Sequence, residues 1–232
     1  MMRVAILPRY PEDFRLFLAS QSPRRRDLLA AVGIPFDIVP SVADEVLDGG
    51  PATALAERNA LAKARGASLP AGTPAGAFVL GVDTVVVVDG RALGKPEDED
   101  HARGMLERLS GRSHEVVSGV ALLRVAEAGS LSAREGAGGT ERVAHAVTTV
   151  SFRSLTPSDV SAYVTSREWT DKAGGYAIQG RAALFVEGIV GDYANVVGLP
   201  LALVGAMFRE EGFDVVTGSW RTEVWRSARL PV

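Results

Sequence analysis

Cysteine is absent from the 232-residue chain. Disulfides, thiolate catalysis and cysteine-bound metals are therefore excluded at once. Only three histidines occur, His101, His114 and His145, scattered and without the spacing of zinc ligands. No serine–histidine or cysteine–histidine arrangement offers a covalent route. The P-loop pattern GxxxxGK[ST] is missing as well. Excess positive charge is also lacking: the formal net charge is −3, which argues against general nucleic-acid binding and makes any basic cluster a local site. The uncharged stretch 193–208 is too short to span a membrane and contains Gly198 and Pro200. Residues 1–8 are too short and too early interrupted for a signal peptide. The expectation is a soluble cytoplasmic protein with neither membrane nor nucleic-acid partner.

The length suits one large domain or two small lobes, and 47% apolar with 23% charged residues is ordinary for a globular chain. Its most informative run is Leu18-Ala19-Ser20-Gln21-Ser22-Pro23-Arg24-Arg25-Arg26-Asp27-Leu28-Leu29. An apolar strand, 14–19, ends in a polar turn, Ser22 is placed to cap a helix, and Pro23 suits the first helical position. Three arginines fill the first turn, where the helix dipole favours anions instead. A phosphate held by exposed N–H groups and guanidinium forks resolves the conflict. The bland alternative is a solvated basic turn with surface ion pairs.

Short apolar runs alternate with helical patterns, so the fold class is α/β. Expected elements are a helix over 23–32, a strand over 36–39, and the acidic loop Asp44-Glu45. An Ala-rich helix over 54–67 carries Asn59 and Lys63. The strongest strand signal covers 77–88, with Asp89-Gly90 turning into 91–93. Helices follow after Pro96 and after Thr156-Pro157-Ser158, with a strand pair at 116–125 and 146–155 and a late helix at 199–211. Residues 127–142, rich in Gly, Ala and Ser, read as a mobile loop insertion. The tail 216–232, with Trp220 and Trp225, is expected to pack back onto the body.

Asp83 stands inside Val79-Leu80-Gly81-Val82-Asp83-Thr84-Val85-Val86-Val87-Val88. A carboxylate there is costly to bury unless it meets a cation, a metal or several donors. The alternative is a strand-end aspartate bonded to backbone. A hairpin returns Lys95 towards Asp83, while Glu45 adds a second acid and Lys63 a cation. Two acids with several cations fit a metal-bound polyphosphate, since Mg²⁺ takes one or two carboxylates plus substrate phosphates. Water is then the nucleophile.

In order along the chain stand LASQSPRR, RNALAKA, LGVDTVV, LGKP, DKAGGYAIQG and GDYANVVGLPL. With these six motifs the chain resembles the Maf family of nucleoside triphosphate pyrophosphatases over residues 17–213. The resemblance implies a two-lobed α/β fold around a mixed twisted sheet with a central cleft, one domain over 14–215. It implies hydrolysis between the α and β phosphates with a divalent cation, Mg²⁺ or Mn²⁺. Asp83 then matches the catalytic acid, and Glu45 with Asp83 the metal-binding positions. Ser20, Arg25, Lys63 and Lys95 match phosphate-handling positions. Arg24, Thr84 and Gln179 match positions that track the base accepted. A homodimer is expected by family analogy alone.

The base argument also has a physical form. A uracil or thymine imide edge presents acceptors on both sides of one donor, and a glutamine amide can both donate and accept. Guanine would be better served by a carboxylate, and cationic 7-methylguanine by an aromatic partner rather than Arg24. The expected substrates are dTTP and UTP, with modified pyrimidine nucleotides as an extension. Rival readings are a 7-methyl-GTP pyrophosphatase, a nucleotide-responsive regulator of septum formation, and a nucleic-acid-binding domain using residues 24–26. At Asp192, Asn195, Trp169 and Tyr176, turn, cap and packing roles outweigh catalysis. Asp171 and Lys172 read as a local ion pair. A leading extension to about Glu12, the insertion and the tail depart from the family pattern without interrupting a motif.

Overall fold

A computed structural model describes residues 8–43, 46, 50–126 and 139–221. Nine strands and six α-helices follow in the order β1 (Leu16–Leu18), α1 (Pro23–Ala31), β2 (Asp37–Ile38), α2 (Ala52–Arg65), β3 (Phe78–Val88), β4 (Arg91–Leu93), α3 (Glu99–Leu109), β5 (Ser113–Arg124), β6 (Glu141–Phe152), α4 (Pro157–Ser166), β7 (Val186–Val190), α5 (Tyr193–Val197), α6 (Leu201–Glu210), β8 (Phe213–Asp214) and β9 (Ser219–Trp220) among the described residues. A seven-stranded sheet runs β2-β1-β3-β5-β6-β7, with β4 also on β3. It is mixed: β1 is parallel to β2 and β3, and the remaining pairs are antiparallel.

β3 organises the molecule. One of its edges pairs with β5 from Phe78 to Val87. The other pairs with β1 at Phe78, Val79 and Leu80, and with β4 at Val86, Val87 and Val88. Between them β1 has turned away into α1, so β3 is flanked by a gap around Gly81 to Val85. Side chains alternate across a strand. Asp83 therefore points to one face and Thr84 to the other, and both are reached from this gap. The return hairpin turns through Asp89 and Gly90, both at positive φ (51° and 71°), the backbone of a tight two-residue turn.

α2 lies unusually close to the Asp83 face. A Cβ on Gly81 would sit 2.2 Å from the Ala60 carbonyl oxygen, and one on Gly119 2.2 Å from the Ala56 carbonyl. Ala56, Ala60 and Ala64 follow one another at i, i+4, i+8 and are fully buried. Small residues on both surfaces let the helix backbone rest on the sheet. That approach brings Asn59 and Lys63, on the same helix, over β3.

Two larger apolar clusters lie side by side on the sheet face away from α2. One gathers Phe14, Leu18, Leu29, Phe78, Leu80, Phe208 and Phe213. The other gathers Val86, Leu106, Phe152, Tyr163, Trp169, Tyr176 and Phe185 around α3 and α4. His114 is buried in the second, its Nε2 2.8 Å from the Tyr176 hydroxyl, and burial lowers its pKa to about 4. Trp220 packs on Phe213 and Phe78, as the sequence predicts for the tail; Trp225 lies outside the described residues.

Two sequence expectations are corrected. β6 opens at Glu141 rather than at residue 146, so residues 141–142 belong to the sheet and not to the insertion; 127–138 lie outside the described residues. The charged start of β6 hides its strand character, but ion pairs hold it: Arg65 donates to Glu141 at 2.8 and 2.6 Å, and Arg142 pairs with Glu210 and Glu211. Ser22 occupies the N-cap position of α1 without a side-chain cap. Its own N–H donates instead to Ser20 Oγ at 3.3 Å, drawing the turn towards the arginine site.

Candidate active site

Asp83 is buried, 6% exposed, and it is paired. Lys63 Nζ lies 2.6 Å from its Oδ1, and Asn59 Nδ2 donates to its Oδ2 at 3.1 Å. Both partners come from α2, four residues apart and so on one helix face. The Lys63 side chain is only 14% exposed, which strengthens the attraction relative to a solvated pair. Asn59 has a second task. Its Oδ1 accepts from the Val46 N–H at 3.1 Å and its Nδ2 donates to the Val46 carbonyl at 2.8 Å, tying Val46 to the Asp83 group. Glu45, expected to help hold a cation, lies outside the described residues.

On the opposite face of β3, Arg25 is held along its length. Its Nε donates to the Gly198 carbonyl at 2.9 Å, Nη1 to Ser20 Oγ at 2.9 Å, and Nη2 to Thr84 Oγ1 at 3.1 Å. These three acceptors are neutral, so they orient the guanidinium without neutralising it. Gly198 has φ 124°, a backbone setting that L side chains rarely adopt, and this aims its carbonyl at Arg25. α5 is fixed in turn by Asp192, which caps it through the Ala194 N–H at 2.7 Å. Asn195, fully buried, donates to the Val116 carbonyl and to Thr148 Oγ1, both at 2.9 Å. The cap role expected at Asp192 is thus observed, whereas Asn195 is neither turn nor cap: it lies inside α5 and ties that helix to β5 and β6.

Between these groups lies a cavity of about 710 Å³. It is lined by Ser20, Arg24, Arg25, Lys63, Asp83, Thr84, Lys95 and Gln179, so every described site candidate meets in one cleft. Its charged lining comprises Arg24, Arg25, Lys63, Lys95 and Lys172 against Asp83 and Asp171. A cationic cleft in a chain of net charge −3 focuses attraction for anions on this one place. Arg24 reaches across it, with Nη2 3.4 Å from the Asp171 carbonyl. Burial lowers the pKa of Arg24 and of Lys172, and the charge of Arg24 lowers Lys172 further, while Asp171 opposes both shifts. An anion between them relieves that strain. Lys172 does not form the expected ion pair; its ammonium donates to the Thr170 carbonyl at 2.8 Å. Gln179 is exposed on the wall and has no hydrogen-bond partner among the described residues, which leaves its amide available to a ligand.

Asn59 and Gly198 are site residues to which the sequence assigns no role, and Lys172 is one that the sequence marks only as half of a local ion pair. Asn59 carried a readable signal, its i, i+4 spacing from Lys63 on a helix face. Gly198 and Lys172 stand in the motifs GDYANVVGLPL and DKAGGYAIQG, but their roles arise from interactions over 173 and 148 residues of chain separation, with Arg25 and Arg24 respectively. Among the described residues, no cluster of three or more His, Asp or Glu forms a protein-only metal cage.

A family model described as Maf-like protein matches residues 15–211. The chain belongs to the Maf family. Its sheet, with Asp83 on the central strand and Arg25 at the start of α1, is the α/β frame of this Maf chain. It is 48% identical over 205 residues to a protein of Symbiobacterium thermophilum, covering 88% of this chain and 97% of that one. It is 50% identical over 202 residues to one of Moorella thermoacetica (87% and 97%), and 43% identical over 201 residues to one of Pelotomaculum thermopropionicum (87% and 98%). All three relatives are named dTTP/UTP pyrophosphatase. No helix among the described residues of the Maf chain is long and apolar enough to cross a membrane.

Proposed function

We propose that this Maf protein hydrolyses dTTP and UTP to the nucleoside monophosphate and pyrophosphate. The observation that carries the proposal is the cleft itself, where one buried carboxylate with two α2 partners faces a fixed arginine across a cationic cavity. The names of relatives covering nearly the whole chain supply the substrate class.

In this reading Arg25, Lys63 and Lys95 receive the triphosphate, with Ser20 holding Arg25 in place. Asp83 orients a water and takes its proton as the oxygen attacks the α-phosphorus. The bond from that phosphorus to the bridging oxygen breaks, and pyrophosphate departs with the electron pair. The cations stabilise the charge as it moves onto the leaving group. A divalent cation, Mg²⁺ or Mn²⁺, fits the donor set: Asp83 presents a carboxylate to a cavity built for phosphates, and such ions are held by one or two carboxylates plus substrate oxygens. Asp83 and Glu45 are the residues that would hold it, and when bound it supplies charge neutralisation at the phosphates.

Gln179 and Arg24 face the base. Both edges of the glutamine amide remain open for the acceptor–donor–acceptor pattern of uracil and thymine. Gln179→Glu is expected to lower kcat/KM for UTP and dTTP about tenfold or more, because a carboxylate then faces carbonyl oxygens. Steady-state kinetics on both substrates checks this. Unchanged constants would remove Gln179 from base recognition.

A further inference from the structure

Thr84 and Ser118 sit directly opposite each other on β3 and β5, on the sheet face towards α1. Ser118 is fully buried. Its hydroxyl lies 2.9 Å from Thr84 Oγ1, and Thr84 Oγ1 in turn accepts from Arg25 Nη2 at 3.1 Å and lies 3.4 Å from the Gly198 carbonyl.

A hydroxyl has one proton to give and room for two donors. If Thr84 gave its proton to Ser118, the buried Ser118 proton would have no acceptor among the described residues. The arrangement that satisfies both has Ser118 donating to Thr84 and Thr84 donating to the Gly198 carbonyl. Thr84 then accepts from Ser118 and from Arg25, and its capacity is filled. Nothing is left on that oxygen for a base. Arg25, by contrast, has its Nε and Nη groups aimed by this same set of oxygens while its charge is not cancelled by them.

We propose that Ser118 and Thr84 form a two-hydroxyl bracket that positions Arg25 for the triphosphate, and that position 84 acts through this arginine and not by reading the base. The inference rests on the proposed nucleotide chemistry of the cleft and assigns a role to Ser118, a residue that does not line it. Both are positioning residues. The bracket fixes where the guanidinium presents its donors, and phosphate recognition by arginine depends on that geometry.

The test uses the full chain with Thr84→Val, Thr84→Ser and Ser118→Ala. Two readouts are taken: calorimetric affinity for inorganic tripolyphosphate, and kcat/KM for UTP, dTTP and CTP. Thr84→Val removes the hydroxyl at constant shape and is expected to weaken tripolyphosphate about tenfold, with Ser118→Ala weakening it about threefold. The specificity constants for the three nucleotides are expected to fall by a common factor, leaving the UTP to CTP ratio unchanged. Thr84→Ser keeps the hydroxyl and restores most of the loss. A changed UTP to CTP ratio in Thr84→Val with unaltered tripolyphosphate affinity would overturn the proposal and return Thr84 to the base. So would a Ser118→Ala protein equal to wild type in both readouts. If the wild-type protein turns over no triphosphate, the functional reading fails, while tripolyphosphate affinity still decides the bracket.

Discussion

Asp83→Asn is expected to lower UTP turnover by about 10²-fold or more while the protein keeps its secondary structure. The substitution keeps volume and removes one charge. It takes away the acceptor of the water proton, and it also unbalances the group that holds Asp83 in place. Lys63 Nζ sits 2.6 Å from one carboxylate oxygen and Asn59 Nδ2 3.1 Å from the other. An asparagine has only one acceptor oxygen for these two donors, so its own amide nitrogen must face either the ammonium or the Asn59 amide. A drop in melting temperature therefore accompanies the loss of turnover, because a largely buried ion pair is replaced by a contact with a neutral amide. Far-UV circular dichroism and single-turnover kinetics separate the two effects. Turnover near the wild-type level in a folded Asp83→Asn protein would contradict the assignment of Asp83.

Gly81→Ala is expected to remove most activity without touching a functional group. The new methyl would lie 2.2 Å from the Ala60 carbonyl oxygen, 2.7 Å from the Ala64 nitrogen and 2.8 Å from its Cβ. Two of these three atoms are helix backbone, so no rotamer change relieves the clash. α2 has to retreat by about 1 Å, and displacements of that size cost about 10²-fold where positioned groups act together. Asn59 and Lys63 retreat with the helix and loosen their hold on Asp83. Overpacking of this kind also destabilises by about 1–3 kcal/mol. Denaturant unfolding and UTP kinetics measured together check the prediction, and a Gly81→Ala protein of wild-type stability and turnover would show that the close approach of α2 is not what builds the site.

Both predictions depend on features that differ in how legible they were. Asp83 stood out because a charge in a run of aliphatic residues demands a partner, and the partner on the Ala-rich helix was within the reading. The hairpin through Asp89 and Gly90 followed from turn chemistry, and β4 indeed returns along Val86 to Val88. Gly81 and Gly119 carry a subtler signal: an isolated glycine within a strand marks a close approach of backbone, and two of them beside an alanine-faced helix mark this one. Ser118 was illegible. It looks like any small polar residue in a strand, and its meaning comes only from the register that sets it opposite Thr84. Gly198 stands in the motif GDYANVVGLPL, but its carbonyl meets Arg25 only after α1 and α5 have packed. The start of β6 was hidden for another reason: charges at Glu141 and Arg142 read as loop until their partners on α2 and α6 are in place.

The central claim is that this cleft cleaves a pyrimidine nucleoside triphosphate between its α and β phosphates. The most direct measurement incubates the purified protein with dTTP, UTP, CTP and 7-methyl-GTP, with Mg²⁺ or Mn²⁺ and with chelator, and resolves the products by ion exchange. The account predicts metal-dependent formation of dTMP or UMP with pyrophosphate, and little turnover of 7-methyl-GTP. Release of a nucleoside diphosphate with orthophosphate, or binding of dTTP and UTP without turnover, would contradict it.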